Sequence, residues 1–151
     1  MYMRANEIMI GDIVNVWDSY IDDETGKVVR IYETPRPERI CAVFKDVAQY
    51  DNGEDSYDVE LFEIEPIPLT PEILEKNGFE HRRYEDAEYY CLADDYFDIT
   101  VGVLSDSIWL ARYDCTEMEM PFEQVACSYV HQLQHFLRLV AMDELADNFK
   151  V

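Results

Sequence analysis

Basic residues are what this chain has least of. Twelve Lys and Arg stand against 33 Asp and Glu, a formal net charge of −21 over 151 residues. A surface of that sign repels phosphate, so direct binding of DNA or RNA is not expected. The excess is not a tail. Residues 1–66 carry 16 acids and 6 bases (−10), and residues 67–151 carry 17 acids and 6 bases (−11). Four cysteines, Cys41, Cys91, Cys115 and Cys127, lie far apart and form no CxxC pair, so free thiols are expected and a disulfide framework is not. No apolar run approaches the ~20 residues that span a bilayer. The N-terminal stretch Met1–Glu7 lacks the apolar core of a signal peptide. A cytoplasmic protein is therefore expected. Phosphate-cradling loops, GxGxxG and GxSxG are all missing, so no cofactor is expected and the prior for an enzyme is low.

Hydrophobic residues are not scarce. They make up 48% of the chain, enough for a packed core. Eleven tyrosines against seven phenylalanines predict many half-buried positions, as on one-sided sheets.

One stretch divides the chain. Glu65–Phe79 carries Pro66, Pro68 and Pro71 within six residues. Each fixes its own φ and pushes the preceding residue toward extended backbone, so neither strand nor helix runs easily through Glu65–Leu69. A helix can start directly afterwards. Thr70 suits the N-cap, Pro71 the first helical position, and Glu72 the positive end of the dipole. Asn77-Gly78 then ends it by supplying a left-handed residue. The expected division is a small β barrel or curled sheet over 1–66 and an α+β domain over 67–151, packed together as one compact unit.

The first half reads as short strands at Ile13–Trp17, Lys27–Tyr32, Ile40–Phe44 and Tyr57–Ile64. Asp18–Thr25 reads as an acidic loop, Thr34–Glu38 as a break and Asp51–Asp55 as a second acidic loop. The second half reads as helix, antiparallel sheet, helix. Its strands fall at Phe79–Tyr84, Tyr89–Leu92 and Tyr96–Leu104, then at Ile108–Tyr113 after a turn at Ser105–Ser107, with a further strand over Met118–Val125. Tyr129, Val130, Leu133, Phe136, Leu137 and Val140 recur at helical spacing after Ser128, which can cap. Asp143 can cap a last turn through Ala146. The fold class is α+β.

Three residues are candidates for chemistry. His131 and His135 stand four apart on the C-terminal helix, a spacing that can hold a metal if a third ligand joins them. Gln132 occupies the place where a metalloprotease motif has its general base. Both histidines otherwise read as polar-face residues beside Gln132 and Gln134. Cys127 precedes the same helix, where the dipole lowers a thiol pKa, and His131 could serve as its base. The alternative for Cys127 is a buried packing residue. The acidic loop Asp51–Asp55 lacks the ligand spacing of an EF-hand.

Two resemblances bear on this reading. Ile10-Gly11-Asp12-Ile13-Val14, a polar loop, then Gly26-Lys27-Val28-Val29-Arg30-Ile31 looks like the entry to an SH3-like small barrel. Such barrels often bind peptides or nucleic acid, and here the flanking loops are acidic. Ile10-Gly11-Asp12, Pro66–Phe79 and Tyr129–His135 together resemble a group of small proteins of gut Bacteroidetes genomes, their phages and mobile elements. That resemblance implies no activity and no catalytic residue.

The expected function is a non-enzymatic interaction or accessory protein of the cytoplasm, whose partner is a protein, by charge a basic one, and not a membrane. Two alternatives accompany it. One is an inhibitor that imitates nucleic acid with its carboxylates and occupies a DNA-processing host protein. The other is a small metal- or thiol-dependent enzyme using His131, His135 or Cys127.

Overall fold

The computed structural model describes residues 3–105, 108–115 and 124–151. Its backbone contacts divide into two compact units, Met1–Ile67 and Pro68–Val151. Both are built mainly from antiparallel strands, with few helices, an α+β composition.

The first unit is a five-stranded sheet with a two-stranded arm. Its sheet strands are β1 (Ile13–Val16), β4 (Arg36–Val43), β5 (Val47–Asp51), β6 (Ser56–Glu60) and β7 (Ile64–Glu65), in the order β6-β5-β4-β1-β7. The arm is β2 (Ser19–Ile21) against β3 (Val28–Arg30). A 3₁₀ turn, Leu61–Glu63, separates β6 from β7. The sheet is open: β6 and β7 lie at opposite edges, and the closed SH3-like barrel expected from the sequence is not formed. Of the two expected forms, the sheet is what remains. Its core follows the period of two. Val14 and Val16 of β1 turn inward with Ile40, Ala48, Tyr50, Val59 and Ile64, while Asn15 between them does not.

Several local readings change. The acidic loop Asp18–Thr25 contains β2, because Tyr20 and Ile21 pair with Val29 and Val28. β5 falls between Phe44 and the acidic turn, where no strand was expected. The alternation through Tyr57–Ile64 is broken by the 3₁₀ turn. β4 starts at Arg36 and runs through Pro37, where a break was expected. The register explains this. Ile40 donates its N–H to the Asp12 carbonyl at 2.9 Å. In an antiparallel ladder every second residue bonds the same neighbour, so Glu38 and Arg36 face β1 and Pro37 does not. β5 begins pairing only at Ile40, so the N–H that Pro37 lacks faces no strand.

The second unit begins with α1 (Pro71–Lys76). The Thr70 side chain caps it, accepting from the Ile73 N–H at 3.4 Å. Asn77 and Gly78 close it: the Gly78 N–H reaches Glu75 O at 3.0 Å, and the Phe79 N–H reaches Leu74 O at 3.1 Å. That pair of bonds is the Schellman arrangement, with Gly78 at φ 87° and Leu74 and Phe79 both buried. The sheet follows as β8 (Glu80–Tyr84), β9 (Ala87–Ala93), β10 (Phe97–Ser105), β11 (Ile108–Cys115) and β12 (Val125–Ala126), in the order β12-β11-β10-β9-β8. The expected strand over Met118–Val125 and the turn at Ser105–Ser107 lie largely outside the described residues.

Two helices end the chain, α2 (Val130–Leu139) and α3 (Asp143–Asp147). The residue at the N-cap of α2 is Tyr129, not Ser128, and at that of α3 Met142, not Asp143. One sheet face buries Tyr90, Ile99, Val101, Trp109 and Ala111, and α2 buries Val130, Leu133, Phe136 and Leu137. No helix of the described residues is long and apolar enough to cross a membrane.

Candidate functional site

The residues singled out for chemistry are placed mostly inside the second unit. His131 is buried on the inner face of α2, not on a polar face. Its ring stacks on Tyr129 at 5.9 Å and meets the half-buried His135 edge-on at 5.6 Å. The two histidines are thus neighbours, as their spacing requires. Among the described residues, however, no group of three or more His, Cys, Asp or Glu side chains is gathered to hold a metal ion. Gln134, read as polar-face, is fully buried and donates from Nε2 to the Ala146 carbonyl at 2.9 Å, which ties α2 to α3.

Cys127 overturns the reading of an activated thiol. It is fully buried, and burial pushes its pKa up to about 12, against a smaller lowering by a backbone hydrogen bond from Ala111. Its own N–H is spent on the Trp109 carbonyl at 2.8 Å. The dipole argument fails because the helix starts at Val130 and desolvation of the thiolate is the larger effect. Cys91 is buried too, and its thiol is likewise pushed up, chiefly by burial. Cys41 is half-buried.

A concave site does exist in this unit, and none of those residues lines it. It opens on the other face of the sheet, where Tyr89, Thr100, Gly102, Leu110 and Arg112, together with Val103 and Gln124, line an open hollow of about 350 Å³.

The first unit holds a different kind of candidate. The β2–β3 arm exposes Tyr20 (52%), Ile21 (54%) and Val28, followed by Ile31 (57%) and Tyr32 (59%). Register puts Tyr20 beside Val29, and on the opposite face Ile21 beside Val28. An apolar residue on both faces of a ribbon cannot be explained by one of them covering a core. Isolated two-stranded ribbons are marginal in water, so the arm needs support.

Its root supplies that support. Trp17 Nε1 donates to Glu65 Oε2 at 2.9 Å, Ser19 Oγ donates to Glu63 Oε1 at 2.8 Å, and the Ile31 N–H reaches the Asp18 carbonyl at 2.8 Å. Arg30 pairs with Glu65 and lays its guanidinium 3.7 Å from the Trp17 ring centroid, a cation–π contact. Arg36 joins from β4. It pairs with Asp18 at 3.0 Å, lies 3.7 Å from Glu38, and donates to the Tyr50 hydroxyl at 3.3 Å. Burial pushes the Glu38 carboxyl up, against the pull of Arg36.

The tip is acidic and ordered by its own side chains. Asp22 Oδ1 accepts from both the N–H and the hydroxyl of Thr25 at 2.7 Å. These bonds, the hydroxyl first, hold the Asp22 carboxyl below its usual range, so it stays ionised. Gly26 (φ 65°) completes the turn and donates to the Asp22 carbonyl at 2.8 Å. Sequence reading had the acids of this loop and missed the arm, because Tyr20-Ile21 is too short a run to register as a strand. The signal available was the pair of apolar doublets, Tyr20-Ile21 and Val28-Val29, on either side of the turn Asp22–Lys27.

No protein-family model, curated protein or solved structure matches this chain.

Proposed function

We propose that the protein is a non-enzymatic accessory protein of the cytoplasm that docks a basic protein through the β2–β3 arm. The observation that carries this reading is the arm itself: an apolar ribbon exposed on both faces, fixed at its root by charged side chains and tipped by Asp22-Asp23-Glu24. Exposed apolar groups supply area that gains by leaving water, and the carboxylates around them choose the sign of the partner. A net −10 over residues 1–66 adds long-range attraction for a cationic surface. The strand order of this unit, with an arm between its first two sheet strands and a 3₁₀ turn before its last, supports an SH3-like plan for the scaffold. A phage or mobile-element setting fits the resemblance drawn from the sequence.

The test is capture from host lysate by the tagged protein and by a Tyr20→Ser/Ile21→Ser/Tyr32→Ser variant, at low and high salt. A basic protein held at low salt, released by high salt and lost with the triple variant supports docking through the arm. Equal capture by both forms refutes it. Should the protein captured equally be one that processes DNA, the nucleic-acid-mimicking alternative replaces this reading.

A further inference from the structure

The concave site of the second unit is independent of the arm and calls for its own explanation. It sits in the middle of the sheet, where a row of paired residues crosses the strands. Tyr89 of β9 pairs with Gly102 of β10, which pairs with Leu110 of β11. Two residues farther along, Thr100 of β10 pairs with Arg112 of β11 on the same face.

Gly102 makes the hollow. Glycine weakens a strand interior and often marks a bulge, a bend, or a place where a ligand or another backbone comes close. Crowding does not explain it here: a Cβ at Gly102 would meet only the Tyr89 Cβ, at 3.8 Å, an ordinary contact. The protein omits a side chain where one would fit, between a tyrosine and a leucine. The register of β10 on β11 then slips between Val103 and Ser105, an irregularity that sheets often place beside binding sites. The hollow is open to solvent, and its volume of about 350 Å³ lies at the lower end of the roughly 300–1,000 Å³ of small-molecule sites.

We propose that this hollow binds one small, flat, neutral aromatic molecule carrying a carbonyl group. The flat body lies over Gly102 between Tyr89 and Leu110. Its carbonyl accepts from Arg112, whose Nη2 is bonded to Asp114 Oδ1 at 2.9 Å. That exposed ion pair occupies one N–H of the guanidinium and leaves its other N–H groups as donors. Charge selects against an anionic ligand twice over. Asp114 already neutralises Arg112, and the surrounding chain is net −11 over residues 67–151. The Thr100 hydroxyl offers a second polar contact from the same face.

The test uses quinolin-2-one as the probe, titrated into the full-length ¹⁵N-labelled protein and followed by amide shifts. The expected result is saturable shifts at residues 89, 100, 102, 110 and 112. Arg112→Met should weaken binding about tenfold, the loss of one charge-assisted hydrogen bond of about 1.4 kcal/mol. Gly102→Leu should fill the hollow and abolish the shifts. If that variant fails to fold, Tyr89→Ala takes its place and should weaken binding about tenfold by removing one wall. Shifts absent or scattered over the surface overturn the proposal, as do shifts undiminished in the Gly102→Leu or Tyr89→Ala protein. Tighter binding of 2-naphthoate, the anionic comparator, overturns the assignment of a neutral ligand.

Discussion

Gly78 gives the sharpest check on how the second unit is built. It ends α1 at φ 87°, and an added Cβ would meet only Leu92 Cδ1, at 3.8 Å. Space is therefore not the constraint; backbone conformation is. A left-handed residue with a Cβ costs about 1–2 kcal/mol, and a β-branched one about 2–3 kcal/mol. Replacing glycine also removes unfolded-state freedom, which returns about 0.4–1 kcal/mol. The net expectations are about 1 kcal/mol of destabilisation for Gly78→Ala and about 2 kcal/mol for Gly78→Val. Gly78→Asn should be close to neutral, because asparagine visits this region at little cost. In a domain of this size each kcal/mol moves the melting temperature by roughly 4–8 °C. Thermal melts by circular dichroism, with urea midpoints as a second measure, should rank the variants Asn, Ala, Val in falling stability. Asparagine and alanine have different volumes and no crowding to feel, so a ranking by volume would refute the conformational argument. An unchanged melting temperature for Gly78→Val would show that the helix does not end on this residue.

This end of α1 was legible in the sequence because every signal for it is local. Thr70 and Pro71 decide the start, Asn77-Gly78 the stop, and the hydrogen bonds that result span three to five residues. Glu72 stands exposed in the first turn. Its carboxyl is held below its usual range by its own backbone N–H and by Thr70, as the end of a helix dictates. The β10–β11 pair was legible for a related reason: long alternation on both sides of a short connection. What failed were features decided across the chain. Pro37 reads as a break locally, and only the β1 register shows that its missing N–H faces no partner. His131 and Gln134 read as polar, yet the helix rotates so that both are buried, with Gln134 satisfied by a carbonyl twelve residues away.

The candidate sites divide in the same way. Cys127 and His131 were visible because their residue types carry chemistry. Burial, which the sequence does not print, then moved the Cys127 thiol in the direction opposite to the dipole argument. The arm and the hollow are made of residues that carry no such label. Tyr20 and Ile21 matter because they stand exposed among the described residues, and Gly102 matters because of what stands on either side of it. A glycine in mid-strand was the one sequence signal for the hollow, and its meaning depends on pairing with Tyr89 and Leu110.

The remaining predictions concern burial and polar ties in the second unit. Asn77 donates from Nδ2 to the Lys150 carbonyl at 2.7 Å and accepts from the Lys150 N–H at 2.8 Å, so Asn77→Ala should release the C-terminal residues. Faster amide exchange at Lys150 and Val151, with a loss of about 1–2 kcal/mol in urea unfolding, is the expected result. Gln134→Ala should leave the Ala146 carbonyl without this donor and open a cavity beside it, costing about 2–4 kcal/mol by the same assay. Cys127 predicts a pH dependence. In the unfolded chain its thiol ionises near its ordinary value of about 8.5, whereas in the folded protein it holds its proton to about pH 12. Between those values the folded state binds one more proton than the unfolded state, so stability falls as pH rises. The slope attributable to this thiol is at most about 1.4 kcal/mol per pH unit. Below pH 8 both states are protonated and the contribution is flat. Urea unfolding of the wild type and of Cys127→Ala at pH 7 to 10.5 isolates the effect, since tyrosines and lysines titrate equally in both. The gap between the two proteins should narrow with pH above about 8.5, because only the wild type carries this thiol. A constant gap would mean that the thiolate is tolerated inside the fold and that desolvation does not govern this thiol.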